Sequence, residues 1–123
     1  MRRLPACICA ALLLAIPLAA YSQSFPSKPI RIVAPFPPGA ATDTIARILM
    51  QPLAQGLGQS IVVDNRPGAG TVIGTELVAR APADGHTLLI MANSFTINPA
   101  VRSKLPYDPL KDFAAVKIGR AHV

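Results

Sequence analysis

Apolar residues fall in three short runs separated by two stretches of helical spacing, and this alternation lays out most of the chain. Residues 24–29 form an extended lead-in. Ile30-Arg31-Ile32-Val33 is rich in β-formers, and a strand over 30–34 is apolar enough to be buried on both faces. Ile45, Leu49, Leu53 and Leu57 recur at every fourth position with Ile48 beside them, which predicts a helix over 44–57 with one apolar stripe. Pro52 sits inside that pattern. It removes a backbone hydrogen bond, costs on the order of 3 kcal/mol in a straight helix, and predicts a kink or a break. Gly58 supplies a stop. Residues 60–64 predict a second strand and 72–80 a second helix, with Ile73, Leu77 and Val78 facing inward. After a turn at 82–85, residues 86–91 predict a third strand. Residues 93–98 read as a polar segment, and Leu105-Pro106-Tyr107-Asp108-Pro109 as a turn-rich connection.

Strand, helix, strand, helix, strand with connections this short is βαβαβ, an α/β unit with a parallel sheet. Such sheets bind ligands beyond the carboxyl ends of their strands. Three loops lie at that edge: 36–43, 66–71 and 92–96. In the first, Pro35, Pro37 and Pro38 hold the chain extended, Gly39 lets it turn, and Thr42 or Asp43 can cap the helix. The free N–H groups and dipole of a helix N-terminus suit an anion, a carboxylate or a phosphate. An ordinary strand-to-helix connection would use the same residues, so both readings stand at this point.

Composition changes the picture at the amino end. Arg2 and Arg3 precede an apolar run over 6–20, interrupted by Pro17 and closed by Ala20-Tyr21-Ser22. This predicts a secretory signal peptide over 1–22, too short and too broken for a membrane anchor. Leu4-Pro5-Ala6-Cys7 looks like a lipoprotein box but precedes the apolar run. Cys7 and Cys9, the two cysteines of the chain, leave with the leader, so no disulfide or thiol chemistry is expected in the mature chain. Net charge falls from +6 to +4 when Arg2 and Arg3 go. The remaining basic residues are scattered and few aromatics accompany them, which speaks against nucleic acid as a partner. About a hundred residues are left, enough for one small domain.

Gly68-Ala69-Gly70-Thr71-Val72-Ile73-Gly74 invites a dinucleotide reading, but its last glycine is one residue too far, it follows the second strand, and no Walker lysine is present. Its glycines suit close backbone approach to a small ligand and to the neighbouring strand. Catalytic chemistry has little support. His86, at the start of a strand, reads as a packed or partly exposed residue and not as a base. Asp43, Asp64, Glu76, Asp84, Asp108 and Asp112 show no paired spacing for acid–base work, no metal cluster is evident, and no serine sits in a nucleophile elbow.

Lys28-Pro29-Ile30-Arg31-Ile32-Val33, Pro35-Phe36-Pro37-Pro38-Gly39 with Asp43, and Asn65-Arg66-Pro67-Gly68-Ala69-Gly70 together resemble the extracytoplasmic solute receptors of tripartite tricarboxylate transporters, the Bug receptors. Residues 82–89 and 105–113 resemble two further runs of that family, and the likeness covers about 25–116. It implies a type II periplasmic-binding-protein fold, two α/β lobes around a cleft. Residues 23–117 would then be the amino-terminal part of the solute-binding domain, a truncated βαβαβ parallel-sheet lobe. It also implies a periplasmic binding protein without enzymatic activity or cofactor. The ligand would be a small carboxylate, an organic acid or an amino acid, held largely by backbone groups and water, and the partners membrane transporter subunits. The alternative is a receptor that presents the same ligand class to a two-component sensor kinase. Carried onto this chain, the ligand-binding positions are Phe36, Pro38, Gly39, Ala40, Ala41 and Asp43, then Ala69 and Gly70, with Asn93 and Ser94 after the third strand.

Departures from the family pattern are Ala40 for a second glycine, Thr71 for another, His86 for tyrosine and Ala115 for proline. Residues 118–123 do not continue it. Their sequence is what a common sequencing adapter encodes in one reading frame, and a non-native tail is expected there.

Small residues at Ala20 and Ser22 predict cleavage after Ser22, with cleavage after Ser24 as the second choice. Mass spectrometry of the exported product checks this; an intact Met1 in periplasmic material contradicts it.

Overall fold

In the computed structural model, which describes residues 24–116, the first strand is buried along almost its whole length because it is the middle strand of the sheet. The predicted leader at 1–22 and the predicted tail at 118–123 lie outside the described residues. β1 (Ile30–Ala34) pairs in parallel with β2 (Ile61–Asn65) on one side and β3 (Thr87–Leu89) on the other, giving the order β2-β1-β3. Ile30, Ile32 and Ile61 form the core with Ala46, and Val63, Leu88 and Ile90 pack against it. Each fully buried side chain of this size contributes roughly 1.5–3 kcal/mol. Arg31, the one charged residue of β1, turns its guanidinium outward onto Asp64, with Nε 2.9 Å from Oδ2. Partial burial of Asp64 raises its pKa, but Arg31 and then Arg66 outweigh that, and the net shift is downward.

The first helix, α1 (Ala41–Leu57), begins three residues before the predicted start and runs unbroken through Pro52, where a kink or break was expected. Pro52 lies on the exposed face, where water can take the carbonyl that loses its partner. Gly58 closes the helix as predicted, at φ +66°, its N–H on the Ala54 carbonyl. The predicted apolar stripe is not the buried face. Ile45, Ile48, Leu49, Leu53 and Leu57 are 37–68% exposed, and Ala46, Met50 and Ala54 meet the sheet instead. Alanines bring the helix axis nearer the strands than a row of leucines would permit.

The same economy of size governs α2 (Val72–Ala79). Ile73 is exposed, Leu77 and Val78 are half-buried, and Gly74 and Thr75 are the buried pair. A Cβ at Gly74 would lie 2.6 Å from Pro35 Cβ and 2.8 Å from the Arg66 carbonyl oxygen, so the helix rides directly on the exit of β1. β3 stops short of the predicted 86–91. Ile90 still donates its N–H to the Val33 carbonyl at 3.0 Å, but the next position on β1 is Pro35, which has no N–H to continue the ladder.

α3 (Ser94–Val101) occupies the stretch read as a polar segment. Its β-branched and proline residues argue against a helix on propensity, and tertiary contacts override them. Phe95 packs edge-on against Phe113 at 5.2 Å between ring centres, and Phe113 against Tyr107 at 5.9 Å.

Gly74→Ala is expected to cost about 1–3 kcal/mol through overpacking, and Ile48→Ser, on the exposed face, less than about 0.5 kcal/mol. Urea unfolding followed by circular dichroism checks the pair; equal losses contradict the packing described.

Candidate functional site

Parallel pairing aligns Ala34 with Asn65 and Val33 with Leu89, so the three loops leave the same edge of the sheet. All ten residues expected to bind ligand lie on these loops or in the first turn of the helix that follows. The first loop is the most constructed. Gly39 takes φ +85°, Ala40 is the N-cap residue, and the first helical bond runs from Thr44 N–H to the Ala40 carbonyl at 2.9 Å. The N–H groups of Ala41, Thr42 and Asp43 precede that bond and have no acceptor within the helix.

Asp43 ties this turn together. The residue is 3% exposed, its side chain turned back under the loop. Oδ2 accepts the Gly39 N–H at 2.9 Å, Arg47 Nε reaches both oxygens at 3.0 and 3.1 Å, and Asn65 Nδ2 donates to Oδ1 at 3.0 Å. These partners, Arg47 first, then the Gly39 N–H and Asn65, lower its pKa to about 2. Neither predicted capping residue makes a side-chain cap bond to the helix: Asp43 instead reaches back to the Gly39 N–H, ahead of the N-cap residue. The buried Thr42 hydroxyl has no hydrogen-bond partner among the described residues. The same Asn65 Nδ2 donates to the Phe36 carbonyl at 3.2 Å.

In the second loop Gly68, Ala69, Gly70 and Thr71 all have positive φ, at 137°, 47°, 63° and 78°. A β-branched residue there is strained, which gives a physical reason for glycine at the position of Thr71 in the family pattern. Thr71 is held by Asn98, whose Nδ2 donates to Thr71 Oγ1 at 3.1 Å and to the Gly70 carbonyl at 2.9 Å; Arg102 takes the Ala69 carbonyl at 2.9 Å. In the third loop the Asn93 carbonyl accepts the hydroxyl and N–H of Thr96, and the Ser94 hydroxyl is buried without a partner among the described residues. Hydrogen bonds thus join the first loop to β2 and the second to α3. No such bond ties Asn93 or Ser94 to the other two loops among those described.

His86 lies at the opposite, amino end of β3. It is buried, the packed one of the two expected states, with Nδ1 on the Asp84 carbonyl at 3.0 Å, Nε2 accepting the Ser27 N–H at 3.2 Å, and Phe25 against the ring. Among the described residues no His, Cys, Asp and Glu side chains gather to hold a metal ion. A concavity of about 270 Å³ lined by Phe95, Thr96, Pro99, Pro109 and Leu110 is apolar and lacks the donors an anion needs. Asn65, Thr42, Asn98 and Arg102 were not anticipated as site residues. Asn65 stood inside a quoted motif, but its partners lie 22 and 29 positions away and give no local signal.

Residues 45–121 match the sequence profile described as the tripartite tricarboxylate transporter family receptor. The chain belongs to this family. It is 41% identical over 107 residues to protein BugT of Bordetella pertussis, covering 85% of this chain and 32% of that protein. It superposes on the periplasmic binding protein BugD with a TM-score of 0.69 at 39% identity, over 72% of this chain and 30% of that one. MatC from Rhodopseudomonas palustris, solved with bound malate, gives a TM-score of 0.68 at 40% identity, over 72% and 31%. The chain therefore spans about a third of the length of the relatives it matches. Over that span it has the α/β fold of periplasmic binding proteins with a parallel sheet.

The lowered pKa of Asp43 sets a pH window. The carboxylate is favoured in the folded chain, so its stabilising effect is complete above about pH 4 and lost as pH falls through about 2. Gly39 amide exchange, read by NMR against the amides of β1, should show the loop loosening in that interval and not above it. Loosening centred near pH 6 would contradict the assignment.

Proposed function

We propose that this lobe supplies one wall of the ligand site of a periplasmic solute-binding receptor for a small carboxylate, an organic acid or an amino acid. Delivery is to the membrane subunits of a tripartite tricarboxylate-type transporter, and export runs through a leader cleaved near residue 22. The observation that carries this reading is the first turn of α1. Its leading N–H groups have no helical acceptor, and the one nearby carboxylate is turned inward and neutralised by Arg47. A ligand carboxylate approaching Ala41 and Thr42 thus meets donors and the positive end of the dipole. Malate bound in a family member of the same lobe geometry supports the ligand class. In this reading Phe36, Pro38, Gly39, Ala69 and Gly70 contribute backbone and shape, Asn93 and Ser94 close the third side, and Asp43 acts on the ligand through the loop. The role is binding, without turnover.

One wall gives weak binding. An exposed anion gains about 0.3–1 kcal/mol from a helix dipole, a few-fold in affinity. A cleft that encloses most of the ligand surface gains far more by excluding competing water. Isothermal titration of the exported chain and of MatC with malate should therefore give affinities at least about a hundredfold apart. Equal affinity would show this lobe to be a self-sufficient site. No malate-dependent change in the spectrum of this chain at tens of millimolar would remove the carboxylate reading.

A further inference from the structure

We propose that Asn65 is the positioning residue of the first loop: its carboxamide, fixed at the carboxyl end of β2, pins the loop at both ends and so sets the shape of the anion-facing turn of α1. The inference rests on the carboxylate reading of that turn and adds a residue and a role to it.

The need for such a residue is written in the loop itself. Pro35, Pro37 and Pro38 have no N–H, so between 35 and 38 only Phe36 can donate from the backbone. Two of the loop's groups are satisfied nearby. The Pro37 carbonyl accepts the Ala40 N–H at 3.2 Å, and the Gly39 N–H goes to Asp43. The Phe36 carbonyl is met by a side chain from another strand, Asn65, at 3.2 Å. The second proton of the same nitrogen goes to Asp43 Oδ1 at 3.0 Å. One NH₂ group therefore spans the entrance of the loop and the carboxylate at its exit.

The anchor beneath it is rigid. Asn65 is paired with Ala34 in the sheet, and the next N–H, that of Arg66, bonds to the Ala34 carbonyl at 2.8 Å. Its Oδ1 faces Arg47 at 3.4 Å, the same arginine that holds Asp43, which fixes the orientation of the amide with NH₂ toward Phe36 and Asp43. The other charges nearby, Asp64 with Arg31 and Arg66, pair among themselves. A carboxylate at 65 would offer only acceptors to the Phe36 carbonyl and to Asp43, and an aliphatic side chain nothing. Because Asn65 also opens the second loop, a displacement there moves both ligand-facing loops together.

The test uses the exported chain labelled for NMR, with Asn65→Leu, similar in size but without the donors. Gly39 amide exchange should rise about tenfold relative to the amides of Ile32 and Val33, the expectation for losing one to two hydrogen bonds. The Asp43 carboxyl should titrate at higher pH than in the unsubstituted chain. Malate-induced shifts at Ala41 and Thr42 should shrink by a similar factor. If Gly39 and the β1 amides accelerate together and the Asp43 titration stays put, Asn65 is a general stabiliser and the positioning role is wrong. Should the leucine variant not fold, Asn65→Ser removes the reach of the amide while staying polar and is read by the same three signals. If malate shifts nothing in the unsubstituted chain, the carboxylate reading fails, while the Gly39 and Asp43 signals still decide whether Asn65 shapes the loop.

Discussion

A buried carboxylate that points away from solvent organises this lobe. Asp43 takes the N–H of Gly39, the guanidinium of Arg47 and the amide of Asn65, and so joins the first loop, α1 and β2 at one side chain. Without it the proline-rich loop would leave β1 with few ways to satisfy its own polar groups, since the prolines remove donors from the stretch that needs them. With it, the negative charge is consumed internally and the first turn of α1 presents N–H groups. A site for an anion needs both conditions: donors outward, and no competing charge beside them.

The sheet supplies the frame for that arrangement. β1 in the middle position gives the first loop a neighbour on each side, β2 with Asn65 and β3 with the approach to α3. Gly74 lets α2 settle against Pro35, at the point where the chain leaves the strand and begins the loop. The second loop shows the same logic with different residues. Its carbonyls at Ala69 and Gly70 are taken by Arg102, just past the end of α3, and by Asn98 within it, and its positive φ angles are tolerated because these side chains hold them.

Much of this was legible beforehand, and the limits have physical causes. The strands, the parallel βαβαβ order and the edge that carries the loops follow from β-branched runs, helical spacing and loop length. The family resemblance, drawn from the proline-rich and glycine-rich runs, also held. The buried faces of the helices were not legible. Periodicity selects the largest apolar side chains, Ile45, Leu49 and Leu53, whereas close helix–sheet approach selects the smallest, Ala46, Ala54 and Gly74. α3 was missed because its stability is tertiary: Asn98 and Phe95 hold it from residues far along the chain. Asn65 was missed for the same reason, and the inward turn of the Asp43 carboxylate is a direction that sequence alone does not give.

The direction of that carboxylate is the central claim, and a crystal structure of the chain grown in high malate tests it most directly. The account predicts malate density with a carboxylate against the N–H groups of Ala41 and Thr42, and Asp43 still turned inward onto Gly39, Arg47 and Asn65. Malate bound through a rotated Asp43 side chain, or seated instead in the apolar concavity beside Phe95 and Leu110, would contradict it.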